Sequence, residues 1–262
     1  MSLINFYFCA AGVESHDICN DVAKELDIPS CSLALYEQPE FHQKIINADV
    51  VIIVADLNNM KDVSNIEAMI GINEEHSVPI LLYAIYPIAL CSGVDKKGIS
   101  VDKLDWIRNR TVLISQQEDN YFESKVNQQN PLIHFYKSKG LSSLSINLLL
   151  GIKSIVSPMT RQEVIGVDFA DYRLAFKQKG FYYTKLYQAE CLGNAELGND
   201  SWLNANIVIM TIYLNAHNAV NILSETSTLV SNMLKANNVI WLLTAVIEER
   251  VKGDPLIFIT HD

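Results

Sequence analysis

Glycine and proline are scarce in this chain, with 11 and 7 in 262 residues. That scarcity excludes collagen-like, linker-like and low-complexity classes. The five cysteines (Cys9, Cys19, Cys31, Cys91, Cys191) form no CxxC pair, and their number is odd. A disulfide framework is therefore excluded, and free thiols in a reducing compartment are expected. The six histidines are scattered, and none has a Cys, Asp or second His four residues away. That leaves no zinc-ligand spacing. No apolar run reaches the ~18 residues needed to cross a bilayer. The opening MSLINFYFCAAG lacks the basic flank of a signal peptide. A cytoplasmic, soluble protein is expected. No Lys/Arg run occurs, and the net charge is −10. Such a surface repels nucleic acid and anionic lipid, so neither is expected as a partner.

What is present is the composition of a packed globular protein, 49% hydrophobic and 19% charged. The acid excess is uneven. Residues 1–150 carry 11 Lys/Arg against 19 Asp/Glu, and residues 151–262 carry 9 against 11. Apolar runs at 3–11, 31–36, 49–55, 79–86 and 111–115 predict strands. Helical periodicity predicts helices at 15–26, 39–48, 62–75 and 101–109. Alternating β and α units imply a parallel sheet with crossover helices. Leu141, Leu144, Leu148, Ile152 and Ile155 extend a helical stripe, so one long helix is predicted from Pro131 to Val156, stopped by Pro158. Beyond it, strands at 181–191, 206–215, 239–247 and 255–260 surround a helix at 219–234. The predicted fold class is α/β: a Rossmann-like parallel-sheet domain at 1–127, a long central helix at 128–157, and a smaller α+β domain at 158–262.

Three segments carry a family resemblance. Val164–Tyr172 reads VIGVDFADY, Ala236–Thr260 reads ANNVIWLLTAVIEERVKGDPLIFIT, and Ala48–Ala55 reads ADVVIIVA. They are similar to the loop after the central helix of FtsZ, to its paired last strands, and to the strand entering its glycine-rich signature loop. With the 131–156 helix in the central-helix position, the order of all four parts resembles the FtsZ/tubulin superfamily from about residue 37 to the end. The resemblance implies a GTP site at that glycine loop and assembly head to tail.

The chemistry of such a site needs glycines, because backbone N–H groups must approach phosphate closely at a helix N-terminus. Here the matching loop reads Asp56-Leu57-Asn58-Asn59-Met60-Lys61-Asp62-Val63-Ser64, without a glycine. Asp56 and Asp62 put negative charge where phosphate would lie. The first loop keeps a single glycine, Gly12, followed by Glu14. At the central helix, Tyr136 takes the place of a base-stacking Phe, and Gly140 stands where an Asp would read guanine. The nucleotide-binding remnants are thus Gly12, Asn58, Asn59, Lys61 and Tyr136, although Lys61 reads more readily as a solvated surface lysine than as a phosphate ligand. Asp168 and Asp171 match the acids that, in the family, enter the next subunit's pocket and polarise water. The same two residues, three apart before a helix, also read as a capping box. Ser15-His16-Asp17 are adjacent and so do not make a hydrolytic triad.

The expectation is an FtsZ-like protein without a working GTP site, with no catalytic residue, metal or cofactor. It would act by association with itself or with a protein partner, or by modulating a cell-division or cytoskeletal polymer. The chain shows no adaptor-binding tail after the last strand, so no direct membrane recruitment is expected. Two alternatives stay open: a divergent GTPase that binds GTP and forms nucleotide-dependent filaments, and a small-molecule binder using the strand C-termini.

Overall fold

A computed structural model describes residues 4–26, 32–35, 41–74, 76–86, 88–91, 98–116, 130–160, 168–188, 201–234, 239–251 and 255–262. The chain forms two compact units, residues 1–117 with 176–182, and residues 118–175 with 183–262.

The first unit is built on parallel strands β1 (Phe6–Ala10), β2 (Ser32–Leu35), β3 (Val50–Ala55), β4 (Ile80–Ala84) and β7 (Val112–Gln116), in the order β7-β4-β3-β1-β2. A small parallel pair, β5 (Leu90–Cys91) and β6 (Ile99–Ser100), stands apart from that sheet. Helices α1 (Val13–Leu26), α2 (Phe41–Ile46), α3 (Met60–Asn73) and α4 (Val101–Arg108) connect the strands. Every residue of β1, β3 and β4 is buried. That explains the unbroken apolar runs, since a strand covered on both faces has no polar side to alternate with. Val63, Ile66 and Met69 of α3 pack with Val51, Ile53 and Leu82 in one core. Each such side chain contributes roughly 1.5–3 kcal/mol on burial.

The second unit holds β8 (Gly180–Gln188), β9 (Ile207–Leu214), β10 (Ile240–Ile247) and β11 (Leu256–His261), in the order β10-β9-β11-β8. The opening of β8, to Tyr182, counts with the first unit. Strands β9 and β10 run parallel, while β11 is antiparallel to both neighbours. The helices are α5 (Pro131–Ser138), α6 (Ser143–Thr160), α7 (Phe169–Phe176) and α8 (Ala219–Met233). The α/β expectation, with a mixed second half, is thus met.

The single helix predicted at 131–156 is corrected: it is two helices. Gly140 adopts a left-handed backbone, φ +87°. The Gly140 N–H donates to the Lys137 carbonyl at 2.9 Å and the Leu141 N–H to the Tyr136 carbonyl at 3.2 Å. This pair of bonds closes α5 as a glycine C-cap. Ser142 then opens α6, its Oγ accepting from the Ser145 N–H at 3.0 Å. Apolar spacing continues across the break, so periodicity alone could not reveal it. Pro158 does not stop the second helix either, which runs to Thr160. The carbonyl its missing N–H leaves free, on Ser154, takes the Thr211 hydroxyl instead at 2.8 Å.

Candidate functional site

Strands β1 and β3 are neighbours, with Ala10 opposite Val54. The Ala11 N–H donates to the Val54 carbonyl and the Ile85 N–H to the Ala55 carbonyl, at 2.9 and 3.0 Å. The chain therefore leaves β1, β3 and β4 at one edge, where parallel sheets commonly hold ligands.

The loop after β3 is short, because α3 begins at Met60. Of the positions that resemble a glycine loop, Met60 to Val63 form a helical turn. Asn59 caps that helix, its Oδ1 accepting from the Lys61 N–H at 3.0 Å. The Asn58 N–H donates to Asp56 Oδ1 at 2.9 Å, and Asn58 Oδ1 accepts from the Ala89 N–H at 2.7 Å. From the first turn of α3, Asp62 reaches back towards the start of α1. It is 2% exposed, and its Oδ2 accepts from the Asp56 N–H at 3.0 Å. Its carboxyl group covers Gly12 so closely that a Cβ there would overlap it. Ser15, fully buried, accepts from the Gly12 N–H at 2.9 Å and donates its hydroxyl to the Gly12 carbonyl at 3.0 Å. Asn65 Nδ2 ties the same loops by donating to the Ala11 carbonyl at 2.6 Å.

The electrostatics follow from this crowding. Burial pushes the Asp62 carboxyl above its ordinary value, and nearby Asp56 and Glu14 push the same way. The hydrogen bond from the Asp56 N–H opposes the rise. At the rim, the Tyr86 hydroxyl donates to Glu14 Oε1 at 2.5 Å, which with partial burial pushes the phenol up to about 12. Among the described residues, no group of three or more His, Cys, Asp or Glu could hold a metal.

Gly12, Asn58 and Asn59 meet at this edge, and their polar groups serve local turns and caps. Lys61 is exposed beside them. Tyr136 belongs to the second unit and is 1% exposed. Its hydroxyl accepts from the Lys153 Nζ at 2.9 Å, and Lys153 lies 3.8 Å from Glu248. The ring proposed for base stacking is thus packed around a buried lysine. Asp168 and Asp171, also in the second unit, form reciprocal caps on α7. Asp168 accepts from the Ala170 N–H, and Asp171 Oδ2 accepts from the Asp168 N–H at 3.3 Å. This is capping-box geometry. Both acids are exposed. Ser15, Asn65 and Tyr86 were not foreseen. Asn65 was the one with a signal, being a poor helix former inside a predicted helix.

No family model matches the chain, and no curated protein does. Solved structures do match. One is an empty FtsZ dimer from M. jannaschii, 14% identical at a TM-score of 0.73, covering 99% of this chain and 88% of that one. A protofilament of TubZ from Bacillus thuringiensis serovar israelensis in its GDP form is 8% identical at 0.61, covering 98% and 85%. A GTPγS-bound protofilament of CetZ2 from Haloferax volcanii is 8% identical at 0.57, covering 98% and 92%. Identities so low speak for the backbone alone. With the strand order and the two units described above, they establish that this chain has the FtsZ/tubulin-superfamily fold.

Proposed function

We propose that this protein uses the FtsZ/tubulin fold without a working GTP site and acts through protein–protein association, with itself or as a modulator of a cytoskeletal or cell-division polymer. The observation that carries the reading is the buried Asp62 carboxyl over Gly12. It fills the strand-end position where a phosphate would need bare backbone. A phosphate oxygen ~4 Å from that carboxylate would meet a repulsion of about 4 kcal/mol at an effective dielectric near 20. Association is supported by the similar structures, which include a dimer and protofilaments.

The charge pattern bears on how it associates. Glu14 and Asp17 are exposed at this edge, and Asp168 and Asp171 are exposed on α7. Head-to-tail stacking of these surfaces would set acid against acid, which is costly without a cation or basic residues between them. Contact through another face, or with a partner offering a positive surface, fits better. A specific interface should bury upwards of ~1,000 Å².

Calorimetric titration with GTP and GDP should show no saturable binding to millimolar levels. Sedimentation should give an oligomer size unchanged by GTP and magnesium. Micromolar affinity, or long polymers formed only with GTP, would establish the divergent GTPase instead.

A further inference from the structure

Among the described residues, eight large apolar side chains stand exposed. Four of them, Val13, Met60, Leu90 and Val101, belong to the segments that follow the strand ends of the first unit. Contacts fix those segments to one another. The Tyr86 hydroxyl donates to Glu14, beside Val13, at 2.5 Å. The Ala89 N–H, beside Leu90, donates to Asn58 Oδ1 at 2.7 Å, two residues before Met60. In the turn of α3 that Met60 opens, Asp62 lies over Gly12, the residue before Val13. Leu90 pairs with Ile99 in the β5–β6 ribbon, and Val101 follows β6 directly. The four apolar side chains, 45–72% exposed, are therefore gathered at one edge. Single exposed apolar residues are ordinary, whereas several within a polar rim mark an interaction site. The rim is acidic. Residues 12–17, 56–64 and 86–102 carry six Asp/Glu against three Lys/Arg, and Glu14, Asp17 and Asp102 are exposed.

We infer that this edge is a docking surface for a short amphipathic segment of a partner protein, in which apolar anchors on one face adjoin Lys or Arg on the other. The anchors cover Val13, Met60, Leu90 and Val101, and the cations meet Glu14, Asp17 and Asp102. Charge selects this occupant. A second copy of the chain brings a net charge of −10 to a face that is already acidic. A cationic segment is attracted and oriented there. The apolar contacts supply the affinity, because exposed ion pairs contribute only about 0–1 kcal/mol each. The inference rests on the reading of this edge as closed to nucleotide, and it names the chemistry that meets the edge instead.

The test uses the full chain and a synthetic helical peptide with Leu on one face and Lys on the other, followed by fluorescence anisotropy. Two control peptides replace either the leucines by Ser or the lysines by Glu. The Leu/Lys peptide should bind wild type at one site with micromolar affinity, about ten-fold or more tighter than either control. The double variant Val13→Ser/Leu90→Ser should weaken binding about ten-fold. Asp17→Asn/Asp102→Asn should weaken it about two- to five-fold and flatten its salt dependence. Val220→Ser, at a similarly exposed apolar residue on α8 of the second unit, should change nothing. Thermal melts that match wild type show each loss to be local, and Met60→Ser stands in if the double variant fails to fold. Equal binding by the Ser/Lys peptide, binding that survives the apolar substitutions, or no binding of the Leu/Lys peptide overturns the inference. So does wild-type self-association that the same substitutions abolish, which would assign the edge to a second copy. Calorimetry with GTP on wild type keeps the two readings apart. Micromolar GTP binding sinks the proposed function, whereas a wild type silent to both GTP and the peptide sinks only the docking surface.

Discussion

The Asp62 carboxyl group lies over Gly12 so closely that residue 12 has no room for a Cβ. Gly12 is not among the glycines with positive φ, so the constraint is steric rather than conformational. Gly12→Ala should therefore cost about 1–3 kcal/mol, the usual range for overpacking. In an Asp62→Gly background the cost should largely vanish, a coupling of roughly 0.5–3 kcal/mol. Urea denaturation of the four proteins in the cycle measures it, and strictly additive costs would show that the two residues do not meet.

The pH dependence of stability should carry Asp62's signature. Its carboxyl titrates above the ordinary range, so the native protein keeps that proton to higher pH than the unfolded chain does. Between the ordinary value near ~4 and the raised native value, the folded state binds more protons, and stability falls as pH rises. The contribution is fully present below that window and lost above it. Asp62→Asn removes the titration. The stability of wild type minus that of the variant should decline as pH rises from about 4 and then level off. Urea midpoints across the acid range check this, and a difference that grows with pH would contradict it.

Asp168 and Asp171 cap α7 reciprocally. Asp168→Ala should cost about 0.5–2 kcal/mol, while Asp168→Asn and Asp168→Ser, which can still accept the Ala170 N–H, should cost much less. Denaturation midpoints of the three variants decide this. Equal losses from all of them would assign the residue's role to its charge.

Thr211 replaces a helical donor that Pro158 cannot supply. Its hydroxyl donates to the Ser154 carbonyl at 2.8 Å, and the Tyr172 hydroxyl approaches the same oxygen at 3.4 Å. Thr211→Val should cost about 0.5–1.5 kcal/mol, the usual net worth of one intramolecular hydrogen bond, because the Tyr172 hydroxyl still reaches the carbonyl, and Thr211→Ser should cost less. In a Pro158→Ala background, where a backbone N–H again faces Ser154, the valine substitution should cost less than in wild type. Thermal melts of the set measure the difference.

Local chemistry made most of the elements legible. VVIIVA and ILLYA announced buried parallel strands, and the observed β3 (Val50–Ala55) and β4 (Ile80–Ala84) fall within the predicted ranges. The 168–171 capping box was also readable, because the two acids sit three apart just before a helix. Less legible was the α5–α6 break, since Leu141 and Leu144 keep helical spacing across it while Gly140 turns left-handed. The identity of Tyr136 suggested a base-stacking ring. Only packing revealed that Lys153, 17 residues later, occupies its hydroxyl.

The candidate site divides in the same way. The sequence by itself determined that the loop after β3 lacks glycine and carries acids, because composition is local. It could not say that Asp62, rather than Asp56, turns inward, or that the carboxyl would come to rest on Gly12, 50 residues earlier in the chain. That meeting requires β1 and β3 to pair in one register, with Ala10 opposite Val54, so that two helix starts face each other at one edge. Pairing between distant strands is fixed by the packing of the whole core and not by the loop residues themselves, and so only the tertiary structure decided what fills this site.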